Sequence, residues 1–371
     1  MSQPVLRVGI VGANYGRMQH IPAYRALPEI DLVAICTAHR ETAEKAAARH
    51  DIPRAFAGYE ELAASPDVDL IDVVTRPSLH YPMSMAALLA GKHVLCEAPL
   101  ALDTRQGDEM VRASRRLVAV VNMQSRYAPG LEYLRQLVAD GYLGRVEAIR
   151  ATAFQSSFAQ PEKMLSYAWG ADREHGASAL RVYGLHTADI VRWCFGEISA
   201  VCGTAVTQRS AWELPGGPVS VTSQDNAAFV FRLTNGAIGT LQSCWNAWHG
   251  DGWRLEAYGS EGRLVAATVG HTPHEPVRLA GARREDQALR ELNPPAELFD
   301  VPEVPADAPY YAFARFVRRL TRSIADGTPI GPTFADGLRM LQLAAAVEES
   351  HESGRWCTLA EGDAKDPEGD C

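Results

Sequence analysis

Short apolar runs alternate with helix-patterned stretches through residues 1–126, and no other feature limits the fold as much. Runs at 6–11, 32–36, 70–74, 93–96 and 118–122 read as buried strands. Helical patterns at 17–27, 41–50, 81–89 and 104–115 separate them. Apolar strands joined by helices form parallel β-α-β units with both sheet faces covered. Right-handed crossovers wind such units into a Rossmann-type doubly wound sheet. After Tyr127 the pattern changes to residues that alternate as in antiparallel strands, at 146–153, 198–206, 227–233, 237–243, 253–258 and 263–266. Thr234-Asn235-Gly236 marks a hairpin turn. Helices are expected at 129–140, 178–195, 310–325 and 334–351, a long surface loop at 271–305, and a frayed polar tail at 361–371. The expected fold class is therefore α/β: a Rossmann domain at 1–126, then an α+β domain at 127–371 with a large, open, mainly antiparallel sheet. That second domain is expected to bind substrate and to form a homodimer or homotetramer through its open face.

Composition removes several classes of function. A net charge of −9 offers no basic surface for nucleic acid. No apolar run approaches the roughly 18 residues of a membrane span, and the opening residues do not read as a signal peptide, so a cytoplasmic protein is expected. The seven cysteines include no C-x-x-C pair, which argues against a disulfide framework or a zinc knuckle. His271 and His274 have no third ligand at metal-site spacing, so no metal is expected. Lysine is scarce, at Lys45, Lys92, Lys163 and Lys365, which restricts the side chains available for amine chemistry.

The first strand runs into Gly12-Ala13-Asn14-Tyr15-Gly16-Arg17, where a G-x-G-x-x-G turn would cradle a pyrophosphate. Only Gly12 falls in register. Asn14 takes the second glycine's place and tolerates left-handed backbone, while Gly16 lies one residue early. At the end of the second strand an acid usually accepts from the ribose of NAD. Here the residues are Thr37, Ala38, His39 and Arg40. A hydroxyl beside Arg40 and His39 suits a 2′-phosphate, so NADP is expected, with NAD as the alternative.

Several motifs in order carry a wider likeness: Gly9 to Gly16, His20-Ile21-Pro22-Ala23, Gly58-Tyr59-Glu60-Glu61-Leu62, Thr75-Arg76-Pro77-Ser78-Leu79-His80, Gly91-Lys92-His93-Val94-Leu95-Cys96-Glu97 and Gly184-Leu185-His186-Thr187-Ala188-Asp189. Along nearly its whole length the chain resembles the Gfo/Idh/MocA family (glucose–fructose oxidoreductase, inositol dehydrogenase and rhizopine-catabolism type). The resemblance implies an NAD(P)-dependent oxidoreductase acting on a polyol, sugar derivative or related carbonyl or imine. It sets Tyr15, Thr75, Arg76, His80, Glu97 and Ala98 along the cofactor. It also implies a lysine in a Glu-Lys-Pro triplet and an aspartate four residues before a histidine. This chain has Glu97-Ala98-Pro99 and Val182 before His186. His186 is left as the expected acid/base, with Tyr183 beside it, because its ordinary pKa suits neutral chemistry. Gln124 and Arg126 at the domain junction, Trp169 and Arg181 are the expected substrate contacts. The replaced lysine and aspartate leave two alternatives: a non-redox lyase, hydrolase or decarboxylase on the same scaffold, or a dinucleotide or sugar sensor without turnover.

Overall fold

The computed structural model describes residues 5–359; the tail expected to fray, with Lys365 and Cys371, lies outside them. Six strands, β1 (Leu6–Val11), β2 (Ile30–Cys36), β3 (Arg54–Phe56), β4 (Leu70–Val73), β5 (His93–Glu97) and β6 (Ala119–Asn122), form one parallel sheet in the order β3-β2-β1-β4-β5-β6. The order reverses beside β1, which opens the crevice where α/β sheets bind ligands. Helices α1 (His20–Ala26), α2 (Arg40–Arg49), α3 (Tyr59–Ala64), α4 (His80–Leu89) and α5 (Thr104–Ala113) connect the strands. Val8, Ile10, Leu70, Val73, Leu95 and Val121 are fully buried, as strands covered on both faces require. β3 and α3 are three and six residues long, too short for a period to show, so the expected pattern skipped them.

The second sheet has nine strands. Helix α6 (Pro129–Ala139) leads to β7 (Val146–Phe154), then α7 (Leu185–Phe195) and β8 (Ile198–Val206). A small separate hairpin, β9 (Ala211–Leu214) with β10 (Gly217–Ser220), follows. Next come β11 (Asn226–Leu233), β12 (Ile238–Cys244), β13 (Gly252–Gly259), β14 (Gly262–Thr268), β15 (Arg278–Arg283) and β16 (Arg290–Glu291). Helices α8 (Tyr311–Asp326) and α9 (Phe334–Ser353) precede the short β17 (Cys357–Thr358). The sheet order is β16-β15-β14-β13-β7-β12-β11-β8-β17, antiparallel except where β12 meets β7. The β11–β12 turn is the hairpin the sequence marks, with Gly236 at φ +91 and Leu233 N–H donating to the Ala237 carbonyl. One face packs under α7 and α9; the other exposes Val230 and Ile238.

One expectation about the second half needs correction. Residues 271–305 are not one surface loop: β15 and β16 extend the sheet, and His271 and His274 point inward. The Pro, Glu and Arg content of that stretch hid two strands held by pairing rather than by apolar alternation. The tail also crosses back. Val301, Val304, Phe313, Phe316, Val317 and Leu320 share one core cluster with Leu6, Val8, Ile10, Tyr24 and Ile35. The Val121 N–H donates to the Pro332 carbonyl. Helix α8 thus packs on the core of the Rossmann sheet.

Candidate active site

The Gly12 turn fits a dinucleotide. Gly12 has φ +105, and a Cβ there would lie 2.1 Å from the Val74 carbonyl oxygen, so only glycine fits. A Cβ on Gly16 would meet Ile10 Cδ1 at 2.7 Å; its missing side chain lets the turn settle onto β1 although it is out of register. The helix expected from Arg17 begins regularly only at His20, because residues 13–19 wind as successive turns. Among the described residues no protein acceptor meets the N–H groups of Asn14, Tyr15 and Gly16. Free backbone donors around a turn of this shape are what a pyrophosphate needs. Asn14 Nδ2 also reaches the Ser166 carbonyl at 3.4 Å, so a strap from the second domain lies over the turn.

The other expected cofactor residues are distributed as follows. At the end of β2, the Thr37 hydroxyl donates to the His39 carbonyl and pairs with Thr42, and Arg40 reaches the Ala55 carbonyl at 3.2 Å. His39 and Arg40 are exposed. The Thr75 hydroxyl meets Met83 Sδ at 3.5 Å. Arg76 is half-buried and its Nε has no partner among the described residues. Both ring nitrogens of His80 face carbonyl oxygens, Pro99 at 2.8 Å and Thr75 at 3.0 Å, which ties the end of β4 to the triplet after β5. Ala98 packs against the main core and precedes a cis peptide bond to Pro99.

Glu97 is the electrostatic centre of the cleft. On one side His20, fully buried, lies with Nδ1 2.7 Å from Asp72 and Nε2 2.9 Å from Glu97. Two nitrogens facing two carboxylates must both donate, so the ring is an imidazolium. Burial alone would lower its pKa, but Asp72 and Glu97 outweigh it and raise it to about 9. Burial likewise works against the Glu97 carboxylate, yet His20 and Asn122 hold it below the ordinary range. The Tyr24 hydroxyl donates to Asp72 at 2.7 Å, and Asn122 donates to Glu97. Burial pushes Asp72 up, partly offset by His20. The sequence reading missed this network. Its signal was present: an acid in the otherwise apolar strand β4 has to find a buried partner.

On the other side lie His186, His271 and His274. His186, on α7, is buried, and its Nδ1 has no partner among the described residues. Burial lowers its pKa below the ordinary 6.5, opposed by Glu97 and Asp189. The His271 ring stands edge-on to His186 at 5.5 Å and to Tyr183 at 4.9 Å, and lies 5.2 Å from His274. Burial lowers His271 well below its ordinary value and His274 to about 4. The Tyr183 hydroxyl pairs with Ser157 at 2.7 Å. Residues 180–184 form a π-helical turn rather than the expected α-helix. That turn sets Val182 against the Phe158, Trp212 and Trp245 cluster, while Tyr183 and His186 meet the same histidine. Single π turns recur at functional sites.

The expected substrate contacts divide. Gln124 joins the cleft: its Nε2 lies 3.5 Å from the Tyr15 hydroxyl, and its Oε1 is buried without a partner. Trp169 is half-buried on the strap, edge-on to His175. Arg126 is occupied instead by a buried ion pair to Asp189, with Asp336 at 3.2 Å. Arg181 is bound to Glu348 and the Leu102 carbonyl. Both arginines serve the fold, because their partners lie on distant segments the sequence could not pair with them. Among the described residues no group of three or more ligand side chains could hold a metal, and no helix is long and apolar enough to cross a membrane.

Comparison with known proteins agrees with this geometry. Residues 6–125 match the Gfo/Idh/MocA oxidoreductase family, NAD-binding Rossmann fold, and residues 131–265 match a C-terminal domain of the same family. Levoglucosan dehydrogenase of Pseudarthrobacter phenanthrenivorans is 28% identical over 95% of this chain and 97% of its own. Trans-1,2-dihydrobenzene-1,2-diol dehydrogenase of Bos taurus is 30% identical over 65% of this chain and 76% of its own. A structure of levoglucosan dehydrogenase in complex with NADH and L-sorbose superposes with a TM-score of 0.87 at 26% identity, covering 96% of this chain and 99% of that one. The chain belongs to the Gfo/Idh/MocA family and is an NAD(P)-dependent oxidoreductase.

Proposed function

We propose that this enzyme oxidises a hydroxyl, or reduces the matching carbonyl, of a small sugar-like substrate, with His186 as the acid/base group at the reacting oxygen. The observation that carries the reading is the free Nδ1 of a buried His186 in a cleft whose carboxylate, Glu97, stays ionised. A lowered pKa keeps the ring neutral near pH 7 and able to accept a proton. Glu97, within electrostatic reach, stabilises the imidazolium that forms. The Gly12 turn, with the free N–H groups of residues 14–16, would hold the dinucleotide, and a bound nicotinamide supplies the hydride acceptor or donor. The proton is left to this chain's own side chains.

The sugar-like substrate class is supported by the dehydrogenases the chain resembles and by a cleft whose arginines, Arg126 and Arg181, are already paired. With those two guanidiniums neutralised, neutral hydroxyl-bearing compounds are favoured there over carboxylates or phosphates. NADP in preference to NAD is supported by Thr37 where a carboxylate would repel a 2′-phosphate, with exposed His39 and Arg40 beside it. The test is His186→Ala, assayed against a panel of sugars and polyols with both nucleotides. The reading expects kcat to fall by about 10²–10⁴-fold with nucleotide binding intact. Activity that survives the change nearly unaltered would refute the assignment.

A further inference from the structure

The Gly12 turn carries a group that the role of His186 does not use. Tyr15 lies within the turn, its hydroxyl 2.7 Å from His274 Nε2. His274 comes from the segment after β14, so the bond crosses from one domain to the other. Burial, then Glu97, raises Tyr15 well above the ordinary phenol value, whereas burial lowers His274 to about 4. Near neutral pH a protonated phenol therefore faces a neutral ring. Either the Tyr15 hydroxyl donates to Nε2 or an Nε2–H donates to the phenol oxygen; the relay requires the first, with the His274 proton on Nδ1. Gln124 Nε2 approaches the phenol oxygen at 3.5 Å, and that oxygen keeps acceptor capacity for one more donor. Glu97, the residue before Ala98, acts electrostatically on Tyr15, His274 and His186 together. The couple thus stands beside the triplet position where Ala98 has no titratable side chain.

We propose that Tyr15 and His274 form a proton relay for this oxidoreductase, with Tyr15 Oη meeting the same reacting oxygen as His186. The proposal rests on the redox reading above and opens a second route, parallel to His186, for the one proton that the hydroxyl releases. In the oxidation direction the substrate O–H bond breaks and its proton joins Tyr15 Oη. The proton Tyr15 held passes to His274 Nε2, which becomes imidazolium within reach of Glu97. Tyr15 ends neutral, as it began, and the two electrons of the substrate C–H bond leave with the hydride. His274 is only partly buried, so its proton exits to water. Reduction runs the same transfers backwards. A phenol is otherwise a poor base near neutrality; the relay removes that obstacle because no phenolate forms.

The experiment pairs kinetics with histidine NMR on the full-length protein. Tyr15→Phe removes the relay oxygen. His274→Gln keeps an acceptor for the Tyr15 hydroxyl but cannot carry a proton. Each is expected to lower kcat by about tenfold or more. In ¹⁵N-histidine spectra of the nucleotide-free protein, His274 should appear as the Nδ1–H tautomer. In Tyr15→Phe that tautomer preference should be lost, while the low midpoint near 4, set by burial, should stay. If Tyr15→Phe turns over like the parent while His186→Ala does not, His186 works alone and the relay is wrong. If the parent reduces or oxidises nothing, the redox reading fails. The NMR arm then decides the couple by itself, and an Nε2–H tautomer of His274 would overturn it.

Discussion

Two groups of histidine flank one carboxylate, and they are built in opposite ways. His20 has both nitrogens bonded to carboxylates, and Tyr24 and Asn122 complete the network. His186, His271 and His274 lie in an aromatic setting, with His186 Nδ1 free. The first group is charged, with both ring nitrogens of His20 paired, although Asp72 Oδ1 and Asn122 Oδ1 have no partner among the described residues; the second is desolvated and neutral. A buried ion pair held by further hydrogen bonds fixes a structure, whereas a buried ring nitrogen left free asks for a ligand. The contrast teaches that Glu97 anchors the Rossmann sheet through His20 and Asn122 on one half of its surroundings and faces neutral, desolvated rings on the other.

The largest expected effect breaks the charged side. Asp72→Ala leaves His20 with one carboxylate and should destabilise the fold by about 3–5 kcal/mol in denaturant titration, the usual cost of leaving a buried charge short of its partner. His186→Ala should do the reverse: a loss of about 10²–10⁴-fold in kcat with little change in unfolding midpoint. Equal losses of stability in the two variants would erase the distinction.

A smaller effect is read from pH. The folded pKa of His20, about 9, lies above its unfolded reference of about 6.5. Its contribution is therefore full below pH 6.5 and is lost as pH rises towards 9, roughly 2–3 kcal/mol in all. His186, His271 and His274 are lowered, so theirs is present above pH 6.5 and is lost as pH falls below it. Thermal unfolding should thus weaken on both sides of a maximum near pH 6.5, and Asp72→Ala should remove mainly the alkaline limb. The smallest effect concerns the nucleotide. Arg40→Ala should weaken NADPH by roughly five- to tenfold, about one charge-assisted hydrogen bond, and NADH hardly at all. Equal weakening of both would remove the case for a bound 2′-phosphate.

The Rossmann half was legible because its information is local. Gly12 sits where a strand meets a turn, and the apolar runs of β1, β4 and β5 leave few ways to pack. The hairpin at Asn235-Gly236 was legible for the same reason. The site was only half legible. His186 and Gln124 were identified as candidates, but His271 and His274 lie in a stretch with no period, and only long-range docking turns them inward. Arg126 and Arg181 read as free cations until Asp189, Asp336 and Glu348 came from far along the chain to pair with them. The π turn at 180–184 packs Val182 on the Phe158 cluster and brings Tyr183 to the His271 ring that His186 also meets, which no count of helix spacing foresees. Asp72 was the clue left unread, a charge within the apolar run of β4.

The central claim is a difference in charge between neighbouring rings. Its most direct test is a ¹⁵N-histidine titration of the nucleotide-free protein from pH 4 to 10. His20 should stay doubly protonated until about pH 9, while His186 stays neutral down to below pH 6.5. A His20 that loses its proton near 6.5, or a His186 already charged at neutral pH, would contradict the account.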